Sequence, residues 1–130
     1  MASFISVEIA PGELIDKITI LEIKLERISD LVKLENVREE WLALTEVRDT
    51  TIKVSDQLRL LSDELKTVNE MLWKIEDEIR ACEKNSDFKE NFIKLARSVY
   101  FNNDTRSSLK LSINQKLGSN IIEVKEYTKY

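Results

Sequence analysis

Two groups of polar residues have the types and spacing to do chemistry. The first is Trp73 with Glu76, Asp77 and Arg80; the second is Arg97, Tyr100, Asn102, Asn103, Asp104 and Arg106. Two arginines beside an amide-rich helix junction suit an anion, because free helix N–H groups and a guanidinium fork both donate to carboxylate or phosphate. Each group also has a plainer account. Glu76 and Arg80 form an i,i+4 pair, which adds only about 0.2–0.5 kcal/mol to a helix and is ordinary on a solvated face. Asn102-Asn103-Asp104 equally suits a cap-and-salt-bridge cluster at an interhelical corner. If that corner folds onto Trp73 and Arg80, then Trp73, Asp77, Arg80, Arg97, Tyr100, Asn103, Asp104 and Arg106 form one pocket. Its ligand would be a small anion such as a phosphorylated metabolite or nucleotide sugar.

Other chemistries fail on composition. The 130 residues contain no His, one Cys and two Gly. That removes His-dependent triads, the common zinc sites, Glu-x-x-His di-iron centres and any Gly-rich phosphate loop, so neither a metal nor a cofactor is expected. The helical nucleotide pyrophosphohydrolases gather carboxylates through Glu-x-x-Glu followed by Glu-x-x-Asp. Glu13–Asp16 and Glu46–Asp49 match the second half, but the only Glu-x-x-Glu, Glu123–Glu126, follows both. Leu14-Ile15-Asp16-Lys17-Ile18 with Arg27 is superficially like the first helix of a helical chorismate mutase, yet Arg27, Arg38 and Arg48 set no pocket. Cys82 lies on an apolar seam, where packing is its role.

The elements that must position these residues are mostly helices. Scarce Gly and Pro argue against a turn-rich sandwich or barrel. Residues 4–10 alternate apolar and polar and predict a short strand closed by Pro11-Gly12. Leu14, Ile18, Leu21, Leu25, Ile28 and Val32 predict a helix over 12–33 on a heptad seam, with Ile20 and Ile23 on its opposite side flanked by Asp16 and Arg27. A helix apolar on two sides is either enclosed in its own domain or covered by a partner, which makes Ile20 and Ile23 candidate dimer contacts. Asn36 and Glu39 resemble a capping box opening a helix over 36–53. Leu58, Leu61, Leu65, Val68, Leu72, Ile75, Ile79 and Cys82 predict a long helix over 56–84. Helices over 87–101 and 104–117 follow, the last ended by Gly118, with 121–125 as a second strand that pairs with the first. The expected fold is a single, mainly α domain. It comprises a long antiparallel coiled-coil-like hairpin, a C-terminal helical pair and a small two-stranded ribbon from the termini.

The net charge of -4 hides a division: residues 89–130 carry eight Lys or Arg against four acids, and residues 1–88 carry 12 against 20. Without a dense basic run or clustered aromatics, nucleic acid is not the expected partner. No apolar run approaches the ~20 residues of a membrane span, and the first residues do not read as a signal peptide, so a cytoplasmic protein is expected.

Pro11 to Lys24, Leu72-Trp73-Lys74-Ile75-Glu76-Asp77-Glu78-Ile79-Arg80, Phe92 to Tyr100, Asn103-Asp104-x-Arg106, Ile113-Asn114 and Glu123-x-Lys125-x-Tyr127 together resemble a family of small uncharacterised helical proteins. Its members occur in marine bacteria, their phages and other proteobacteria. The resemblance implies a stand-alone domain of unknown function, sometimes encoded near glycosyltransferases. It directs interest to Asp16 alongside the residues named above and assigns no catalytic role. The reading is a non-enzymatic interaction or scaffold module acting as a homodimer, with an enzyme or binder of an anionic small ligand as the alternative.

Overall fold

The computed structural model describes residues 4–121 and 123–130. Among them are four helices: α1 (Pro11–Arg27), α2 (Leu31–Thr51), α3 (Asp56–Lys84) and α4 (Glu90–Lys116). The chain is all-helical over these residues. α3 and α4, 29 and 27 residues long, form an antiparallel hairpin about 40 Å in length. α1 packs on both of them and on α2, whereas α2 packs on α1 alone. The core therefore has two parts. Ile15, Leu58, Leu65, Leu109 and Ile113 fill the layer where α1 lies on the hairpin. Ile75, Cys82 and Leu95, backed by Ile79, Phe92 and Val99, close the far end of the hairpin without α1.

Several expectations change. Residues 4–10 form no strand: Phe4 is 95% exposed, and among the described residues no strand lies beside the segment. The stretch 121–125 contains Ile122, which lies outside the described residues; its other residues form no strand either, so the ribbon is absent among the described residues. The tail is instead held through side chains, Glu123 on Lys110 and Tyr130 on Asp104. A lone two-stranded ribbon gains little in water, and side-chain anchoring to α4 replaces it.

The helix expected over 12–33 stops at Arg27, where Ile28 turns extended (φ −80°, ψ 135°). Asp30 then caps α2, its carboxylate accepting from Lys33 N at 3.0 Å. Asn36 is consequently inside α2 and caps nothing, and Val32 belongs to α2 rather than to the seam of α1.

The helices expected over 87–101 and 104–117 are one helix, so no helical pair and no interhelical corner exist. Asn102 Nδ2 donates to Ser98 O at 2.8 Å and Thr105 Oγ1 to Phe101 O at 3.2 Å. Polar side chains that satisfy themselves on the preceding turn do not interrupt the helix. The start of α4 has no side-chain cap. Asp87 accepts from Lys89 N at 3.2 Å, and Lys89 is the N-cap.

Gly118 ends α4 as expected, with φ +66°, Ser119 N on Asn114 O and Gly118 N on Gln115 O. The end of α3 uses the same motif with Ser86 at φ +53°. Asp87 N bonds Cys82 O and Ser86 N bonds Glu83 O. A Cβ is disfavoured in this left-handed conformation and glycine is not. Ser86→Gly is expected to stabilise the fold by about 0.5–1 kcal/mol, read as a higher urea midpoint with an unchanged slope.

Candidate functional site

The strongest constellation lies where α1 meets α4. From α1 come Gly12, Glu13, Asp16 and Thr19, successive positions on one side of a helix. From α4 come Arg106, Lys110 and Asn114, spaced i, i+4, i+8, and from α3 comes Asn69. Asp16 is 1% exposed and accepts two hydrogen bonds from one guanidinium: Arg106 Nε to Oδ1 at 2.9 Å and Nη2 to Oδ2 at 2.5 Å. Asn69 Nδ2 donates to the same Oδ1 at 2.9 Å and to Thr19 Oγ1 at 2.9 Å. Thr19 in turn donates to Asp16 O at 2.8 Å. The Arg106 pKa is pushed up by its hydrogen bond to Asp16, against the opposing effect of burial. Among the described residues, no buried side-chain N or O lacks a partner. A buried charge is tolerated when it is paired and hydrogen-bonded in this way.

Above this layer, Lys110 Nζ lies 2.7 Å from Glu13 and 3.2 Å from Glu123, which ties the tail to the bundle. Burial pulls the Lys110 pKa down, but the hydrogen bonds to Glu13 and Glu123 outweigh it and hold the ammonium above its ordinary value of 10.5. The folded state keeps this proton more tightly than the unfolded chain. Its stabilisation is complete below 10.5 and is lost as pH rises through the higher folded value. The stability difference between the native sequence and Lys110→Met should stay constant at neutral pH. It should shift toward the variant above 10.5, followed by urea unfolding across pH.

The residues singled out from the sequence divide between two cavities. Trp73, Asp77, Arg80 and Arg106 border one of about 330 Å³, together with Ile20, Ile23 and Asn69. Tyr100, Asn103 and Asp104 border the other, about 810 Å³, formed against the tail residues Lys125 and Tyr127–Tyr130. Arg97 points away from the bundle and lies over the Phe101 ring at 5.9 Å. The free helix N–H groups expected near residue 104 do not exist, because the helix runs through. Arg80 is 79% exposed at its side chain and pairs with Glu76 at 3.1 Å on the rim. Ile20 is half-buried, and Ile23 is 1% exposed, enclosed by its own protomer rather than offered to a partner.

Residue types alone do not single out Gly12, Thr19, Asn69, Lys110 or Asn114. The one signal for the α4 stripe is the spacing of Arg106, Lys110 and Asn114, which tracks the apolar stripe Leu109, Ile113, Leu117 one residue away. Among the described residues, no group of three or more acids or cysteines could hold a metal ion. No helix among them is long and apolar enough to cross a membrane.

Compared with known protein families, residues 5–130 match the model described as a family of unknown function, DUF6165. No curated protein and no solved structure matches the chain.

Proposed function

The chain belongs to the family of unknown function DUF6165, and we propose that it is a non-enzymatic interaction module that works as a homodimer. The observation that carries this reading is the outer side of α2. That helix packs on α1 alone, through half-buried Leu34, Val37, Trp41 and Leu44, yet Leu31 is 81% exposed and Val32 and Leu42 are also exposed. A helix apolar on both sides calls for a second covering surface. Another copy of the chain is the occupant this reading takes, because the same apolar residues on both partners are self-complementary about a twofold axis. Asp16, Glu13 and Lys110 of the main polar constellation are paired within the fold, which suits a structural role better than turnover. A cytoplasmic setting belongs to the same proposal. Light scattering at micromolar concentration should give twice the protomer mass of 15.2 kDa, and Leu31→Glu with Leu42→Glu should halve it. A native mass near 15.2 kDa rejects the dimer.

A second reading, the binding of an anionic small ligand, is favoured by one observation. The larger cavity sets Lys125 and Lys129 beside Tyr100, Tyr127 and Tyr130, so cations and aromatic faces converge there. Nucleotide sugars are the first probes, given the resemblance to proteins encoded near glycosyltransferases. A thermal shift abolished by Lys125→Ala with Lys129→Ala supports it, and no shift with any phosphorylated compound rejects it.

A further inference from the structure

The smaller cavity, between α1, α3 and α4, has a guanidinium built into its wall. Arg106 is held along one edge: Nε and Nη2 both donate to the buried Asp16, which is itself fixed by Asn69. Nη1 makes no hydrogen bond among the described residues, and the side chain, 30% exposed, borders the cavity. A long flexible side chain normally loses rotamer freedom when it captures a ligand. Here that ordering has occurred on folding, so the free end of the fork is pre-organised. Ile20, Ile23, Leu72 and Trp73 make the apolar part of the remaining wall, and Glu76, Asp77 and Arg80 its charged part.

The charges decide which ligand fits. Asp16 compensates Arg106, and Glu76 takes Arg80. Asp77 has no ion-pair partner among the described residues, so the cavity carries one net negative charge. A phosphate or other dianion would face Glu76 and Asp77 and be repelled. A simple cation would leave the free end of Arg106 unused. A molecule with both a carboxylate and an ammonium uses both walls.

We propose that this cavity binds a small zwitterion with an apolar side chain, the chemistry of a free aliphatic or aromatic α-amino acid. The carboxylate accepts from Arg106 Nη1, the ammonium donates to Asp77, and the side chain lies on Trp73 and Ile20. About 330 Å³ lies within the range of small-ligand sites. This site stands independently of the dimer.

The chain has two tryptophans, so Trp41→Phe leaves Trp73 as the sole indole reporter. Titration of that variant with L-leucine should change its fluorescence saturably. Isoamylamine and isocaproate, leucine without its carboxylate and without its ammonium, should each bind about tenfold more weakly, as expected for loss of one charge-assisted contact. Adding Asp77→Asn, at an exposed position, should weaken leucine about tenfold and leave isocaproate bound at least as well as before. Three outcomes overturn the proposal: no saturable change with leucine, isoleucine or phenylalanine; isocaproate binding as well as leucine; or inorganic phosphate producing the same response.

Discussion

Replacing Arg106 with methionine is expected to destabilise the protein by about 3–5 kcal/mol, a large share of the stability of a domain this size. The reason is what remains behind. Asp16 is 1% exposed and would keep only Asn69 as a side-chain donor, leaving a buried carboxylate without its counter-charge. The reverse deletion should cost less. Arg106 is 30% exposed at its side chain, so Asp16→Leu lets the guanidinium turn to water, whereas a carboxylate stripped of Arg106 cannot reach water. Asp16→Leu combined with Arg106→Met should recover much of the loss, because an apolar pair of similar volume avoids stranding either charge. Asn69 would still have Thr19 Oγ1 to donate to. Urea unfolding of the two single variants and the double variant closes the cycle, and a coupling energy near zero would show that Asp16 does not depend on Arg106.

The pair also shows what a single chain reveals before it is folded. Asp16 is visible as an acid on the back of an apolar helix, and Arg106 as one of two arginines near Asn103. Nothing local joins them, because 90 residues separate the partners. The apolar rhythm of α3 is legible, since a 3,4 repeat from Leu58 to Cys82 has one physical meaning, and α3 runs from Asp56 to Lys84. Its partner is less so. The far end of α3 packs on α4, through Leu95, Phe92 and Val99, and α1 covers only the near half.

The structure departs from the expected helix breaks at two points, for opposite reasons. Ile28 and Val32 keep the apolar spacing of α1 through a point where the chain turns, and the cap at Asp30 is a weaker signal than the seam. Asn102-Asn103-Asp104 has the composition of a break. The bonds of Asn102 and Thr105 to the preceding turn show these residues spending their hydrogen bonds within a continuous helix instead. The predicted pocket fared accordingly. Arg106 borders one cavity with Trp73, Asp77 and Arg80, while Tyr100, Asn103 and Asp104, on the same helix, face the tail.

Gly12→Ala carries the second large expected effect, about 2–3 kcal/mol of lost stability. Gly12 reads from sequence as the turn that closes a strand; in the fold it lies in the first turn of α1, where a side chain ordinarily fits. Distance is what forbids one. A Cβ at position 12 would sit 2.5 Å from Lys110 O and 2.8 Å from Asn114 Oδ1. One of these is helix backbone and cannot swing away. The same approach lets Gly12 N donate to Asn114 Oδ1 at 2.7 Å, so a residue of α4 caps an N–H that Ala10 leaves without a side-chain acceptor. Separating the helices to admit a methyl group would lengthen this bond and the neighbouring contacts of Lys110 with Glu13 and Arg106 with Asp16. Two comparisons separate close approach from backbone freedom. Gly118→Ala, where φ is +66° but nothing lies within 4 Å, should cost only about 1–2 kcal/mol. Gly12→Ala placed in an Asn114→Ala background should still cost most of its penalty, because the Lys110 carbonyl remains in the way. Full recovery in that background, measured by urea unfolding, would instead assign the clash to the Asn114 side chain and show that the two helix backbones have room to spare.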